Sequence, residues 1–179
     1  MNRSALRPRI YVASLSDYNA GRLHGIWIDD LDDIETVWSR VEAMLAASRE
    51  PVAEEYAIHD YEGFGPCRID EYENLETVVT IASGISGHGE AFACWASLLD
   101  AGEYDELDRF EDLYVGSYDS LRDFADEILD SFGIDVDPAD WAPELLVPFV
   151  RVDLDAFADS LDDLYRVCEG DRQVHVFEP

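Results

Sequence analysis

The sequence predicts an α+β chain of three small segments. These are an antiparallel sheet with one helix over 1–62, a helical segment over 63–103, and an acidic α+β segment over 104–179. Three observations predict it. Strand-like runs bounded by turn residues fall at 9–15, 22–28, 53–59, 164–168 and 173–177. Helical apolar spacing without strand alternation fills the middle. The net charge of −29 is uneven: −5 over 1–60, −6 over 61–100 and −18 over 101–179.

Taken in order, residues 9–15 read as a strand, and Tyr18-Asn19-Ala20-Gly21 is turn chemistry, since Asn and Gly tolerate positive φ. Arg22 to Ile28 reads as a second strand with Trp27 in the core. Asp32 or Asp33 can cap the next helix, with Glu35 in its first turn. Ile34, Val37, Trp38, Val41 and Leu45 then share one helical face. Ala53 to His59 is a third strand, and Asp60-Tyr61-Glu62-Gly63-Phe64-Gly65-Pro66 a loop. Residues 70–101 read as helical with a break at Ser86-Gly87-His88-Gly89. Leu75, Val78, Val79 and Ala82 form one apolar face there, and Phe92, Trp95, Ala96 and Leu99 another.

The last segment repeats one design three times. Over 105–114, Leu107, Phe110 and Tyr114 oppose Asp105, Asp108, Glu111 and Asp112. A helix started by Ser117-Tyr118-Asp119-Ser120 and ended by Gly133 sets Leu121, Phe124, Ala125, Ile128, Leu129 and Phe132 against Asp119, Asp123, Asp126, Glu127 and Asp130. Over 154–165, Leu154, Phe157, Ala158, Leu161 and Tyr165 oppose Asp155, Asp159, Asp162 and Asp163. Leu164 to Cys168 and Gln173 to Phe177 close the chain as a β-hairpin.

The 41 acids face 12 bases, all arginine. Such a chain has no basic footprint for direct nucleic-acid binding, and anionic membranes repel it. No apolar stretch approaches the roughly 18 residues of a membrane span. Residues 1–10 carry three arginines and no apolar run, unlike a signal peptide. Cys67, Cys94 and Cys168 form no CxxC pair, and Cys94 lies in an apolar run that reads as buried. These features give a cytoplasmic expectation.

Catalysis has little support. His59-Asp60 has no nucleophile arrangement beside it, and no HExxH, P-loop or dinucleotide glycine pattern occurs. Asp135-Val136-Asp137-Pro138-Ala139-Asp140 lacks the loop glycine and terminal glutamate of a calcium loop. No metal and no cofactor is expected.

A charge run on one helix is ordinarily a solvated face, but such faces usually mix signs. The helix from 119 has like-charge pairs 119–123, 123–126, 123–127, 126–130 and 127–130. Together they cost about 1–2.5 kcal/mol before screening. Arg122 offsets part of this through Asp119 and Asp126. One explanation is an acidic, salt-adapted structural or adaptor protein, which predicts an even coat. The other is a surface imitating the DNA backbone. Carboxylates at i, i+4, i+7 and i+11 rise about 6, 4.5 and 6 Å along a helix, and a carboxylate can replace a phosphate as an arginine partner.

Ile10-Tyr11-Val12-Ala13-Ser14-Leu15, followed by Tyr18-Asn19-Ala20-Gly21-Arg22-Leu23-His24-Gly25-Ile26-Trp27-Ile28-Asp29, resembles the N-terminal signature of the ArdA antirestriction family. So does Ile58-His59-Asp60-Tyr61-Glu62-Gly63-Phe64. Phe110 to Tyr118, Asp153 to Ala158 and His175-Val176-Phe177 look like further family segments. The resemblance implies an elongated, curved chain of three small domains, paired as a homodimer through the C-terminal domain. The apolar stretch Trp141 to Val150 reads either as that contact surface or as core packing. It implies a DNA mimic from mobile elements, without enzymatic activity, that occupies the DNA-binding groove of type I restriction–modification enzymes. The phosphate-mimicking acids are then Asp105, Asp108, Asp112, Asp119, Asp123, Asp126, Glu127, Asp130, Asp155, Asp159, Asp162 and Asp163. In the family motifs, Tyr18, Asn19, Gly21, Gly25, Trp27, Asp60, Tyr61, Glu62, Gly63 and Phe64 read as structural: glycines for turns and close approach, Trp27 and Phe64 as anchors. The Asp153-Leu154-Asp155 stretch departs from a more aromatic family version, and the N-terminal extension Met1 to Pro8 carries arginines that a DNA mimic would not need.

Overall fold

The structure, a computed structural model, describes residues 6–100 and 103–179. The arginine-bearing residues 1–5 and the last residue of the expected 70–101 helical stretch lie outside the described residues. The chain divides into two compact units, 1–108 and 109–179. Helices and small antiparallel sheets coexist, so the α+β class holds.

In the first unit β1 (Arg9–Ser14) lies between β2 (Gly25–Ile28) and β3 (Tyr56–Glu62), all antiparallel. Helix α2 (Ile34–Ala46) packs on β1 and β2. Ile10, Val12, Ile28, Val37, Val41 and Ala57 are fully buried in this unit. Asp33 caps α2, its Oδ2 accepting the Thr36 amide at 2.9 Å. Met44 joins Val37 and Val41 in the buried stripe, while Trp38 stays 38% exposed with its ring edge-on to Tyr56.

Several expectations are corrected here. Tyr18 and Asn19 belong to a short helix, α1 (Leu15–Asn19), because Ser14 Oγ caps it by accepting the Asp17 amide at 3.3 Å. The turn follows at Ala20 and Gly21, where Gly21 takes φ +76°. The second strand therefore begins at Gly25 rather than Arg22. A Cβ at Gly25 would come within 2.5 Å of the Val12 carbonyl and 2.8 Å of the Tyr11 ring. Trp27 is half-buried, not core. Strand alternation gives the core side to Ile28 and sets Trp27 beside Tyr11, ring centroids 5.6 Å apart, with the Arg9 guanidinium 4.5 Å from its ring centroid. The third strand also runs later than expected. Asp60, Tyr61 and Glu62 pair with Tyr11, Ile10 and Arg9 instead of forming a loop. The bend falls at Gly63, where φ is +79° and a Cβ would sit 2.1 Å from the Arg7 carbonyl oxygen. Phe64 is the buried anchor after it.

The middle stretch starts at Leu75, not 70, because Asn74 caps α3 (Leu75–His88) through the Glu76 amide at 2.8 Å. Gly89 at φ +67° separates it from α4 (Glu90–Ser97). Leu75, Val78 and Ala82 are buried as expected, with Ile81, Ile85, Phe92, Cys94 and Trp95. A Cβ at Gly84 would lie 2.3 Å from the Phe92 ring, so a glycine is what lets α3 and α4 meet.

In the second unit β4 (Tyr114–Tyr118), β6 (Val174–Phe177) and β5 (Arg166–Glu169) form an antiparallel sheet in that order. The C-terminal hairpin is thus present. Helices α6 (Leu121–Ser131) and α7 (Leu154–Leu161) pack together, with Phe124, Ala125, Leu154, Ala158, Leu161 and Val176 buried among them. The 105–114 stretch is not one α-helix. It is a 3₁₀ helix (Tyr104–Arg109) followed by one α-turn, α5 (Phe110–Leu113). Leu107, Phe110 and Leu113 are buried at intervals of three, the period of a 3₁₀ helix. Ser117 and Tyr118 lie in β4 rather than starting α6, whose cap is Ser120. Helix α7 ends at Leu161, so Asp162 is its C-cap and Asp163 lies beyond it. No helix of the described residues is long and apolar enough to cross a membrane.

Asp17 ties the first unit together. It is 1% exposed, and its Oδ1 accepts from Arg22 Nε and Nη2 at 3.3 Å each. Its Oδ2 accepts the Ser48 hydroxyl just past α2, and Arg22 also pairs with Glu50. The Ser48 hydrogen bond chiefly holds the Asp17 carboxyl below its ordinary range, against the opposite effect of burial. A lowered folded-state value stabilises the fold above the ordinary carboxylate range, and that stability is lost as pH falls through the folded value. Asp17→Asn should therefore lower the melting temperature at neutral pH, with the gap to the parent narrowing below pH about 4 in thermal melts.

Candidate acidic interaction surface

The second unit holds 19 acidic and five basic side chains in 71 residues. Eight of its acids lie on α5, α6 and α7, whose opposite faces are in the core. On α6, Phe124 and Ala125 are buried while Asp123, Asp126, Glu127 and Asp130 are exposed. Ser120 Oγ accepts the Asp123 amide at 3.3 Å and donates to Asp123 Oδ2 at 2.5 Å, a reciprocal cap. Tyr118 donates to Glu127 Oε1 at 3.2 Å and packs on Phe124. Burial first, and the Glu127 charge second, raise the Tyr118 hydroxyl above its ordinary pKa. On α7, Asp153 caps by accepting the Ala156 amide at 3.0 Å, and Asp155 and Asp159 are exposed.

All twelve expected acids are exposed, though not all on helices. Asp105 and Asp108 belong to the first unit, on one side of the 3₁₀ helix. Asp112 is on α5, and Asp119 precedes the cap of α6. The 119–123 pair is consequently not a helical pair, while the other four like-charge pairs remain on α6. Arg122 does not turn to Asp119 or Asp126; it pairs with Asp155 on α7. The motif residues Tyr18 to Trp27 and Asp60 to Phe64 all belong to the first unit and to its turns, strands and anchors.

An open cleft of about 890 Å³ lies between the start of α6, the outer side of α7 and the β5–β6 hairpin. It gathers Asp119, Asp159 and Asp162 with Glu169, Asp171 and Arg172. Sequence spacing missed Glu169 and Asp171 because they flank a hairpin turn, where helical periodicity carries no signal. Among the described residues no group of three or more His, Cys, Asp or Glu is placed to hold a metal ion. Asp135 Oδ1 and Asp137 Oδ1 accept the amides of Asp137 and Ala139 at 2.8 and 2.9 Å, local turn contacts.

A second feature is apolar. Phe132, expected on the inner face of α6, is its C-cap and is 76% exposed. Leu145 and Phe149 are each 82% exposed, and Trp141 and Leu146 are also exposed. Among the described residues, Trp141 meets a partner through Nε1, which donates to the Asp135 carbonyl at 2.7 Å.

Fold and surface together define an acidic α+β protein whose outward helix faces present carboxylates. The particular family follows from the sequence comparison: residues 10–170 match the model of the antirestriction protein (ArdA) family, and the chain belongs to that family. No individual curated protein is significantly similar to it. Membership supports an antirestriction function in general. Because Ser120 both caps α6 and holds Asp123, Ser120→Ala should cost about 0.5–2 kcal/mol, read as a lower midpoint in urea unfolding.

Proposed function

We propose that this protein is a DNA mimic that binds type I restriction–modification enzymes in place of DNA and inhibits them. The supporting observation is the pair of packed helices α6 and α7, whose outward faces carry Asp123, Asp126, Glu127, Asp130, Asp155 and Asp159 over a shared apolar core. Carboxylates can accept the arginine and lysine side chains that otherwise grip phosphates. The protein does no chemistry in this reading; it fills the DNA-binding groove of the methyltransferase core in the cytoplasm of a cell receiving a mobile element. The reading includes a three-segment chain, with the sheet and the helical part of the first unit acting as separate segments of the mimic.

The reading also includes a homodimer. Two chains would carry −58, comparable to about 29 base pairs at two charges each. The exposed side chains Leu145, Leu146 and Phe149 are the proposed contact. Leu145→Asp with Phe149→Asp should shift the protein from dimer to monomer in sedimentation equilibrium. An unchanged dimer would reject this contact.

Purified protein should displace duplex DNA from a type I methyltransferase, with affinity falling as salt rises. Failure to displace at low salt would reject the mimic and favour a salt-adapted structural or adaptor protein. Replacing Asp123, Asp126, Glu127 and Asp130 together by their amides should weaken displacement by about tenfold or more, while single changes at 126 or 130 move it less than about threefold.

A further inference from the structure

Arg122 is a cation set among acids. It projects from the first turn of α6, half-exposed, and pairs with Asp155 in the first turn of α7. On the charge-mimic reading an arginine on this face subtracts from the negative surface. Its placement suggests a different use. The core joining α6 and α7 is made of Phe124, Ala125, Leu154, Ala158 and Leu161, with Phe157 and Ile128 beside them. Apolar contact of this kind is attractive but non-directional, so it resists separation more than it resists sliding or rolling. The carboxylates of the two helices, meanwhile, repel one another. A guanidinium–carboxylate contact is directional and fixes one relative placement of the two backbones.

We infer that Arg122 is a positioning residue: by clamping Asp155 it sets the register of α7 against α6, and with it the spacing of the two rows of carboxylates. The inference rests on the mimic reading, because spacing matters for a partner that reads phosphate positions. A mere sum of charges makes the opposite prediction. Losing the arginine makes the chain more negative, so simple attraction would tighten binding to a basic groove. Loss of register loosens it.

The test uses the full chain. Arg122→Gln should weaken displacement of duplex DNA from a type I methyltransferase by about three- to tenfold, despite one more net negative charge. Arg122→Lys, which keeps a cation within reach of Asp155, should stay within about twofold of the parent. In an Asp155→Asn background, Arg122→Gln should add less than about twofold, since the pair is already broken. A second readout needs no partner. Spin labels on Ser131→Cys and Ser160→Cys, at exposed positions on the two helices, should give a narrow distance distribution in the parent. Arg122→Gln should broaden it and Arg122→Lys should keep it narrow. Equal or tighter binding by Arg122→Gln overturns the proposal, and so does an unchanged distance distribution. A parent chain that displaces no DNA, yet whose label distances still depend on Arg122, instead rejects the mimic reading and leaves the clamp standing.

Discussion

Like-charge repulsion is the constraint on which the second unit is built. With 19 carboxylates and five guanidinium groups between 109 and 179, any fold of this stretch must keep acids in water and apart while enclosing an apolar centre. Amphipathic helices satisfy both demands at once. A residue at i+3 or i+4 stays on the same face, so Phe124 and Ile128 can turn inward while Asp123, Asp126 and Glu127 stay wet. The short sheet then closes the other side of the core with Val176. Acids also stand where helix ends favour them, with Asp123 in the first turn of α6 and Asp155 in that of α7. Neither helix has a basic residue in its last turn.

The few arginines are used with economy. Arg9 pairs with Glu62 and Asp29 and covers the Trp27 ring; Arg22 bridges Asp17 and Glu50; Arg40 donates to the Trp27 carbonyl at 3.1 Å. Each guanidinium offers several fixed donors, so one side chain can join two or three elements. In a chain without lysine, Arg9, Arg22 and Arg40 act as clips inside the first unit. The same logic gives Arg122 its place between α6 and α7.

Legibility followed the range of the interaction. Caps and glycine breaks are local, and Asp33, Gly21, Gly63 and Gly133 stand where residue chemistry put them. The Leu75–Ala82 face and the C-terminal hairpin were readable for the same reason: period and turn residues lie within a few positions. Helix α1 was missed because five residues leave no period to detect, only the Ser14 cap. Strand β4 is not legible because Ser117 and Tyr118 read as the start of a helix, whereas pairing with His175 and Val174, far along the chain, makes them a strand. Trp27 reads as core, but Ile28 takes the buried side of β2, and alternation leaves Trp27 on the other face beside Tyr11 and the Arg9 cation.

The sequence by itself determined the class of fold, the exposed acids of the second unit and the family signature, because composition, helical period and short motifs are properties of neighbouring residues. Tertiary structure alone decided which acids share a surface. Glu169 and Asp171 meet Asp159 and Asp162 only because a hairpin folds back beside α7. Arg122 meets Asp155 across 33 positions of sequence only because an apolar core brings α6 and α7 together. Charge is written along the chain, but its spacing is set by packing between segments that the chain does not place side by side.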